Sequence, residues 1–353
     1  MQVAVYAPAT SANLSVGFDL LGLAVRRLDG KRLGDIVVAA DFSEQDTNLA
    51  RPGEPALAFA GKGKFIGKLA DKLETNLVYK AYVLYRRELQ ARDHEVKPLA
   101  LTLYKNMPVG SGLGSSSSSA VAALVALNEF HGQLLEKTTM LALMGELEGT
   151  VSGSAHYDNV APAYLGGLQL MLPPAYAPYP GAPERPVKEG ALTQELPIFE
   201  QWYWVLAYPG IVIKTEDARR ILPDSYSRSQ IIAQTAYMAS FVHALYLGDQ
   251  ELAARSLRDL VAEPYREQLL PNADKIRTLL YQAGALACGI SGSGPTFYAL
   301  ANNLATAQKL QEVFAQHYLQ NEEGFVYICQ TDFDGAVVLS EQEFAQFLRQ
   351  EEI

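Results

Sequence analysis

The sequence predicts an α+β fold, mixed sheets with helices packed on them, on three observations. The chain has 353 residues, 49% of them hydrophobic and 19% charged, enough apolar material for one large domain or two. Short β-rich runs and helical patterns both recur along it. They do not alternate in the strict strand–helix–strand order that a doubly wound parallel sheet needs.

Taken in order, residues 3–7 are β-rich and are expected to stop at Pro8, and Ile36, Val37 and Val38 form a second strand. Residues 53–67, rich in Gly, Pro and Ala, read as a loop. The spacing of Leu77, Tyr79, Ala81, Val83 and Leu84 predicts a helix over 76–90. Residues 99–104 have strand character, a glycine-serine run follows Pro108, and the Ala/Leu/Val segment 120–130 predicts a helix. Another helix is expected over 138–150, with Thr138 or Thr139 as N-cap. Six of the 18 prolines fall within 173–186, which excludes a helix or central strand and reads as an exposed loop near a domain junction. Residues 202–208 read as a buried strand, and 215–221, 229–246, 251–261 and 272–282 as helices. Strand, glycine turn and strand follow over 284–300, and a late strand over 325–330.

Composition excludes several classes. Lys and Arg number 29 against 39 Asp and Glu, a net charge of −10 with no basic cluster, so a nucleic-acid partner is not expected. One small anion held at a local site is still compatible. The two cysteines, Cys288 and Cys329, cannot build a disulfide framework and lack metal-site spacing. Residues 1–10 lack a signal-peptide pattern, and no apolar run approaches the roughly 18 residues that span a bilayer. The expectation is a cytoplasmic chain with no membrane partner. Aromatic-rich stretches of the second half read first as core and second as a homodimer surface.

Three segments could carry chemistry. In Pro108-Val109-Gly110-Ser111-Gly112-Leu113-Gly114, followed by Ser115, Ser116, Ser117, Ser118 and Ser119, alternate glycines let the backbone turn tightly and bring its N–H groups to a ligand. The helix beyond aims its positive end at the same place, which makes a phosphate cradle. It is not a P-loop, since no Gly-Lys-Ser/Thr closes it, nor the G-x-G-x-x-G dinucleotide fingerprint. A flexible linker is the plainer alternative, but a linker would not be abutted by a strand and an apolar helix. The second segment, Gly289 to Thr296 with Gly292, Ser293 and Gly294 at its centre, reads by itself as a tight hairpin, and it fails the G-x-S-x-G elbow pattern. In the third, residues 7–19, small residues surround Asn13 and Asp19, polar groups with no helical or strand reason to be there.

In this order and at these separations the three segments resemble those of the GHMP kinase superfamily, named for its galactokinase, homoserine kinase, mevalonate kinase and phosphomevalonate kinase members. Residues 7–19, the run 152–162 containing His156, Asp158 and Asn159, the run 215–223, and Glu263-Pro264-Tyr265-Arg266 resemble the homoserine kinases within it, so the likeness covers essentially the whole chain. The departures are Ser15-Val16, where Gly-Pro is commoner, and five successive serines in place of a serine-alanine mixture.

The resemblance implies a two-domain GHMP kinase fold with the active site between the domains. Residues 1–165 would be the N-terminal domain with the Gly/Ser loop, and 166–353 the C-terminal domain with the second Gly-rich loop. It implies ATP-dependent transfer of the γ-phosphate to the hydroxyl of L-homoserine, giving O-phospho-L-homoserine for threonine biosynthesis, with Mg²⁺ as cofactor. By the same resemblance residues 108–118 and Asn76 would bind ATP. Ser116 and Glu148 would hold the metal, and Asn13, Asp19, Thr215, Arg219 and Arg266 the acceptor. His156, Asp158 and Asn159 would line the reaction centre. For an arbitrary Glu, His or Asn the plainer readings are a solvated helix face, a structural imidazole and a helix start. Guanidinium groups suit the acceptor's carboxylate because they pair with it in a bidentate way. No catalytic base is assigned: in a loose transition state the hydroxyl proton can leave late to phosphate or water, and Asp19 and Asp158 both stay open for the role. Two other readings are a GHMP kinase for a different small alcohol, which would not need both arginines, and a catalytically silent nucleotide sensor, which would not need a metal site.

Overall fold

The computed structural model describes residues 1–50, 53–68, 73–152, 156–172 and 192–350. The proline-rich stretch 173–186 lies outside them, as do Gly153, Ser154 and Ala155. In chain order, β1 (Gln2–Ala12), β2 (Leu21–Arg27), β3 (Gly34–Asp41) and β4 (Leu57–Lys62) precede α1 (Leu77–Ala91), β5 (Leu99–Tyr104), α2 (Ser115–Phe130), α3 (Lys137–Ser152) and α4 (Val160–Leu165). Next come β6 (Leu168–Met171), β7 (Thr193–Leu196), β8 (Tyr203–Tyr208), α5 (Thr215–Arg220), α6 (Arg228–Leu247), α7 (Gln250–Ser256), α8 (Glu263–Arg266) and α9 (Ala273–Gln282). The last described elements are β9 (Ala287–Ile290), β10 (Phe297–Ala301), α10 (Leu304–His317), β11 (Phe325–Thr331), β12 (Val337–Leu339) and α11 (Glu341–Gln350).

The described strands form a mixed sheet in the order β4-β5-β3-β1-β2-β11-β8-β10-β9, with β12 on β1 and β6 joining β2 to β7. The α+β class is as the sequence predicts. β1 does not stop at Pro8. Up to Pro8, opposite Gly34, it pairs with β3, and from Ala9, opposite Val25, it pairs with β2. The change of partner falls where the missing proline N–H is tolerated. Residues 53–67 are not all loop either: β4 lies parallel to the edge of β5, a tertiary pairing that the Gly- and Ala-rich composition hides. The helix expected from residue 120 begins at Ser115. That expected over 251–261 ends at Ser256, because the Asp259 carboxylate accepts the Val261, Ala262 and Glu263 N–H groups and turns the backbone out of the helix.

α2 is buried on nearly every side, as an Ala/Leu/Val helix without a polar stripe must be. One core joins it, α1, α3 and α4 to Val5, Ala7, Val37 and Leu101. Along β8 the side chains alternate: Trp204 and Leu206 face the core under α6 and α7, while Val205 and Ala207 face Ile276, Leu310 and Phe314 of α9 and α10. Trp202 and Trp204 are fully buried, so the core reading of these aromatics holds. Near the C-terminus β12 pairs with β1, and Leu339 and Phe347 pack on Tyr6 and Ile36. The division at 165/166 stands as a proposal about two modules whose strands continue in one sheet. No described helix is long and apolar enough to cross a membrane.

Candidate active site

The first glycine loop is fixed by its carbonyl groups. Gly110 O accepts the Ile213 N–H at 3.2 Å, Ser111 O the Thr296 N–H at 3.0 Å, Gly112 O the Ser291 hydroxyl at 2.7 Å, and Leu113 O the Thr10 N–H at 3.1 Å. In a trans peptide the C=O and the following N–H point in opposite directions. Tying four successive carbonyls to the scaffold therefore holds the amides of Ser111, Gly112, Leu113 and Gly114 pointing away from those partners, and Ser111, Gly112 and Gly114 border the cleft. Gly112 has φ 79°, and a Cβ there would lie 2.5 Å from Ser291 O; at Gly114, φ 65°, it would lie 2.0 Å from Thr10 Oγ1. Both positions need glycine for conformation and for space. Gly114 caps α2 without a side-chain bond, so the first-turn N–H groups of a 16-residue helix stay open to an anion.

The five serines divide by the geometry of that first turn. Ser116 faces the cleft, and Ser117 Oγ donates to Glu148 Oε2 at 3.2 Å. Ser118 Oγ donates to Ala7 O at 2.7 Å and accepts the Asp35 N–H at 2.8 Å; Ser119 Oγ donates to Asp35 Oδ2 at 2.6 Å. Glu148 is buried, and burial pushes its carboxyl up against the opposing effect of hydrogen bonds from Ser117 and Ser116.

These groups open onto a cleft of about 520 Å³. Lining it on the loop side are Val109, Gly110, Ser111, Gly112, Gly114, Ser115 and Ser116, with Asn76 and Glu148. Asn13, Asp19, His156, Asp158, Asn159, Thr215, Arg219, Arg266, Gly292 and Ser293 line it as well, Asn159 and Gly292 lying directly against the loop at Gly114 and Gly112. Pro108, Leu113, Ser117, Ser118 and Gly294 do not line it, and the Leu113 side chain belongs to the core. Asn76 is also the N-cap of α1, its Oδ1 accepting the Val78 N–H at 2.9 Å, so the plainer reading and the cleft placement coincide. The second glycine turn is the expected hairpin between β9 and β10, and it also braces the first loop through Ser291 and Thr296.

Facing the cradle, Arg219 on α5 makes a bidentate pair with Asp19, at 2.8 and 3.2 Å. Arg266 is buried; its Nε donates to Ala218 O at 3.0 Å and its Nη1 to Gly292 O at 3.1 Å. Asn13 is committed to scaffolding, with Nδ2 donating to Gly292 O and Oδ1 accepting the Asp19 N–H. Asn159 Oδ1 accepts the Thr10 hydroxyl at 2.7 Å. Thr215 Oγ1 lies 3.5 Å from Ser293 Oγ. Asp158 packs against β2 so closely that a Cβ on Gly22 would lie 1.8 Å from its carbonyl oxygen. Burial pushes the Asp158 carboxyl up to about 7, with Asp19 and Glu148 adding and Arg219 opposing. Burial, then the Arg219 charge, holds His156 below the ordinary imidazole value.

Sequence reasoning missed the pair beneath the loop. Lys105, just beyond β5, is buried, lines the cleft, and is bonded to Asp35 of β3, to Ser115 O at 2.8 Å and to Ser119 Oγ at 3.0 Å. Asp35 Oδ1 also accepts the Asn106 and Met107 N–H groups, so one carboxylate anchors both ends of the loop. The only sequence signals were a lone carboxylate within one apolar strand and a lone ammonium directly after another. Lys214 and Glu216 at the mouth were missed as well.

An anion cradle of backbone amides, a buried carboxylate beside serine hydroxyls, and arginines across a small-molecule cleft define a phosphoryl-transfer enzyme on an α+β scaffold. The GHMP kinases N terminal domain matches residues 76–167, and the GHMP kinases C terminal domain matches residues 241–320. The chain is similar to homoserine kinase from Cytophaga hutchinsonii, with 32% identity over 96% of this chain and 97% of that one, and a TM-score of 0.78. A Listeria monocytogenes protein provisionally assigned as homoserine kinase shares the fold at 22% identity, 96% and 100% coverage and a TM-score of 0.63. L. major mevalonate kinase, solved with R-mevalonate, shares it at 16% identity, 92% and 95% coverage and a TM-score of 0.62. The chain belongs to the GHMP kinase family.

Proposed function

We propose that this kinase transfers the γ-phosphate of Mg-ATP to the side-chain hydroxyl of L-homoserine, the step that commits homoserine to threonine. The observation that carries the reading is the meeting of Asp19, Arg219 and Arg266 in the cleft that the phosphate loop also lines. A free amino acid presents an ammonium and a carboxylate together, and this wall offers a carboxylate and two guanidinium groups to match them. An uncharged sugar presents no ammonium or carboxylate for those groups to recognise.

In this reading the amides of 111–114 and the open turn of α2 take the β- and γ-phosphates, and Asn76 lies toward the nucleoside. The residues present fit a magnesium ion: Glu148 is a buried carboxylate with Ser116 and Ser117 hydroxyls beside it, and Mg²⁺ usually takes only one or two protein oxygens, the rest coming from phosphate and water. When bound there it would neutralise charge on the phosphates. Arg219 and Arg266 hold the acceptor carboxylate and Asp19 its ammonium, leaving the hydroxyl beside Asp158. With a carboxyl near 7, Asp158 can take the hydroxyl proton late in a loose transition state. His156, kept neutral beside Arg219, can hydrogen-bond the acceptor without adding a cation. Positioning and charge stabilisation supply most of the rate.

The test is ADP release from Mg-ATP with homoserine, serine, mevalonate and galactose as acceptors. Turnover with homoserine is expected to dominate. Turnover confined to another alcohol would overturn the substrate assignment.

A further inference from the structure

Behind the acceptor wall, one buried carboxylate joins three segments. Glu263 opens α8 and is 6% exposed. Its Oε1 accepts the Ile290 N–H at 2.6 Å and the Ser15 hydroxyl at 2.8 Å, and its Oε2 lies 3.2 Å from the Arg277 guanidinium. The Ser15 hydroxyl also lies 2.8 Å from Tyr298 Oη. The packing is tight enough that a Cβ on Gly289 would sit 2.1 Å from Ser15 Oγ and 2.2 Å from Glu263 Oε1.

The segments so joined are those that carry the acceptor groups. Asn13, Leu14 and Ser15 have φ of 71°, 44° and 55°, three successive side-chain-bearing residues in the left-handed region, and Asp19 follows at 57°. Asn13 and Asp19 tolerate that region, but local preference opposes it at Leu14 and Ser15, so outside contacts must hold the turn there. Glu263 lies one helical turn before Arg266 on α8. Ile290 leads into the second glycine turn, where Gly292 O accepts both Asn13 Nδ2 and Arg266 Nη1. The contacts therefore close a ring, from Glu263 through Ser15 to Asn13, Gly292 and Arg266, and back along α8.

We propose that Glu263 is a positioning residue for the acceptor site: through Ser15 and the Ile290 amide it sets the separation between Asp19 on the turn and Arg266 on α8. That separation selects acceptors whose ammonium and carboxylate are the right distance apart. The inference rests on the acceptor reading given above for Asp19 and Arg266. Glu263 touches neither the cleft nor a reacting atom.

The experiment uses Ser15→Ala and Glu263→Gln, singly and together, in the full chain. A lost hydrogen bond to a charged group predicts an acceptor KM raised about tenfold in each single variant, with kcat and the KM for ATP within about twofold. The double variant should be no worse than the worse single, since both remove one link. Multiplying effects, equal rises in both KM values, or an unchanged acceptor KM would overturn the proposal. Ser15→Gly should show the same defect; recovery there would mean that backbone strain, and not the link, matters. Hydrogen exchange at 13–19 and 291–294 reads the link without any acceptor: faster exchange in Ser15→Ala is expected, and unchanged exchange sinks the idea. Ser15→Ala leaves the Glu263 bonds to Ile290 and Arg277 intact, which keeps the test available if Glu263→Gln does not fold. If the wild type prefers another alcohol, the substrate reading falls, and the KM ratios measured with that alcohol still decide the link.

Discussion

Replacing Arg219 by Ala tests the acceptor wall most directly. The side chain is 31% exposed and holds Asp19 through two hydrogen bonds, at 2.8 and 3.2 Å. If the same fork meets the acceptor carboxylate, its loss removes the equivalent of one charge-assisted hydrogen bond, about 1.5–3 kcal/mol. The expected result is an acceptor KM raised on the order of 10- to 100-fold, with the KM for ATP within about twofold. A second consequence is electrostatic. Arg219 holds down both Asp158 and His156, so removing it should move the Asp158 limb of the pH–rate profile upward from about 7. Arg219→Lys restores the charge without the fork, and should recover the pH limb but not the KM. The assay is coupled ADP release with each substrate varied in turn, across pH. Equal effects on both KM values, or a pH limb that stays in place, would refute the placement of Arg219.

Four further outcomes follow from other contacts. Glu148→Gln should cut kcat and raise the Mg²⁺ concentration needed for half-maximal turnover, and an unchanged metal titration would remove Glu148 from that role. Gly112→Ala places a Cβ 2.5 Å from Ser291 O at φ 79°, so urea unfolding should show a loss of about 1–3 kcal/mol and the KM for ATP should rise. Lys105→Met leaves Asp35 buried without its cation, and breaking such a pair from one side should destabilise by about 3–5 kcal/mol in the same assay. Asp158→Asn should abolish most turnover while stabilising the fold. The native carboxyl stays protonated up to about 7 and the unfolded one only to 3.8, so the folded state loses ground as pH rises through that window and the full cost remains above it. The gain from Asn should therefore grow between about pH 4 and pH 7 and level off above it, at several kcal/mol at most. A gain independent of pH would contradict the buried, raised carboxyl.

The parts of the fold that could be read from the sequence were those whose pattern is local. α1 announced itself through its apolar spacing and Asn76, β5 through alternating leucines and β8 through an aromatic-rich apolar run. β4, β6 and β12 are three to six residues long and owe their existence to partners distant in the chain, which no local pattern records. The same distinction applies to the cleft. Glycines at alternate positions before an apolar helix can be read from the sequence because backbone freedom is a property of single residues. Asp35 and Lys105 are 70 residues apart and meaningless separately. The five serines looked equivalent, yet the helix rotates each by about 100°, which sends Ser116 to the cleft, Ser117 to Glu148 and Ser118 into the scaffold, while Ser115 and Ser119 meet Lys105 at the cleft wall.

That rotation also shows how a chain of charge −10 accommodates a triphosphate. Two of the cleft's cations are neutralised before any ligand arrives, Lys105 by Asp35 and Arg219 by Asp19. The positive field at the cradle therefore comes mainly from oriented peptide dipoles, and these are held by carbonyl contacts to Thr10, Ile213, Ser291 and Thr296. Such a field needs no reorganisation when charge shifts during transfer, and bulk salt screens it less than it would surface lysines. Nucleotide affinity should accordingly fall only weakly between about 50 and 300 mM salt, whereas contacts from exposed lysines would be screened and decline more steeply. Isothermal titration of ATP with excess Mg²⁺ at several salt concentrations measures this. A steep decline would place the cradle's charge on side chains such as Lys214 and overturn the backbone account.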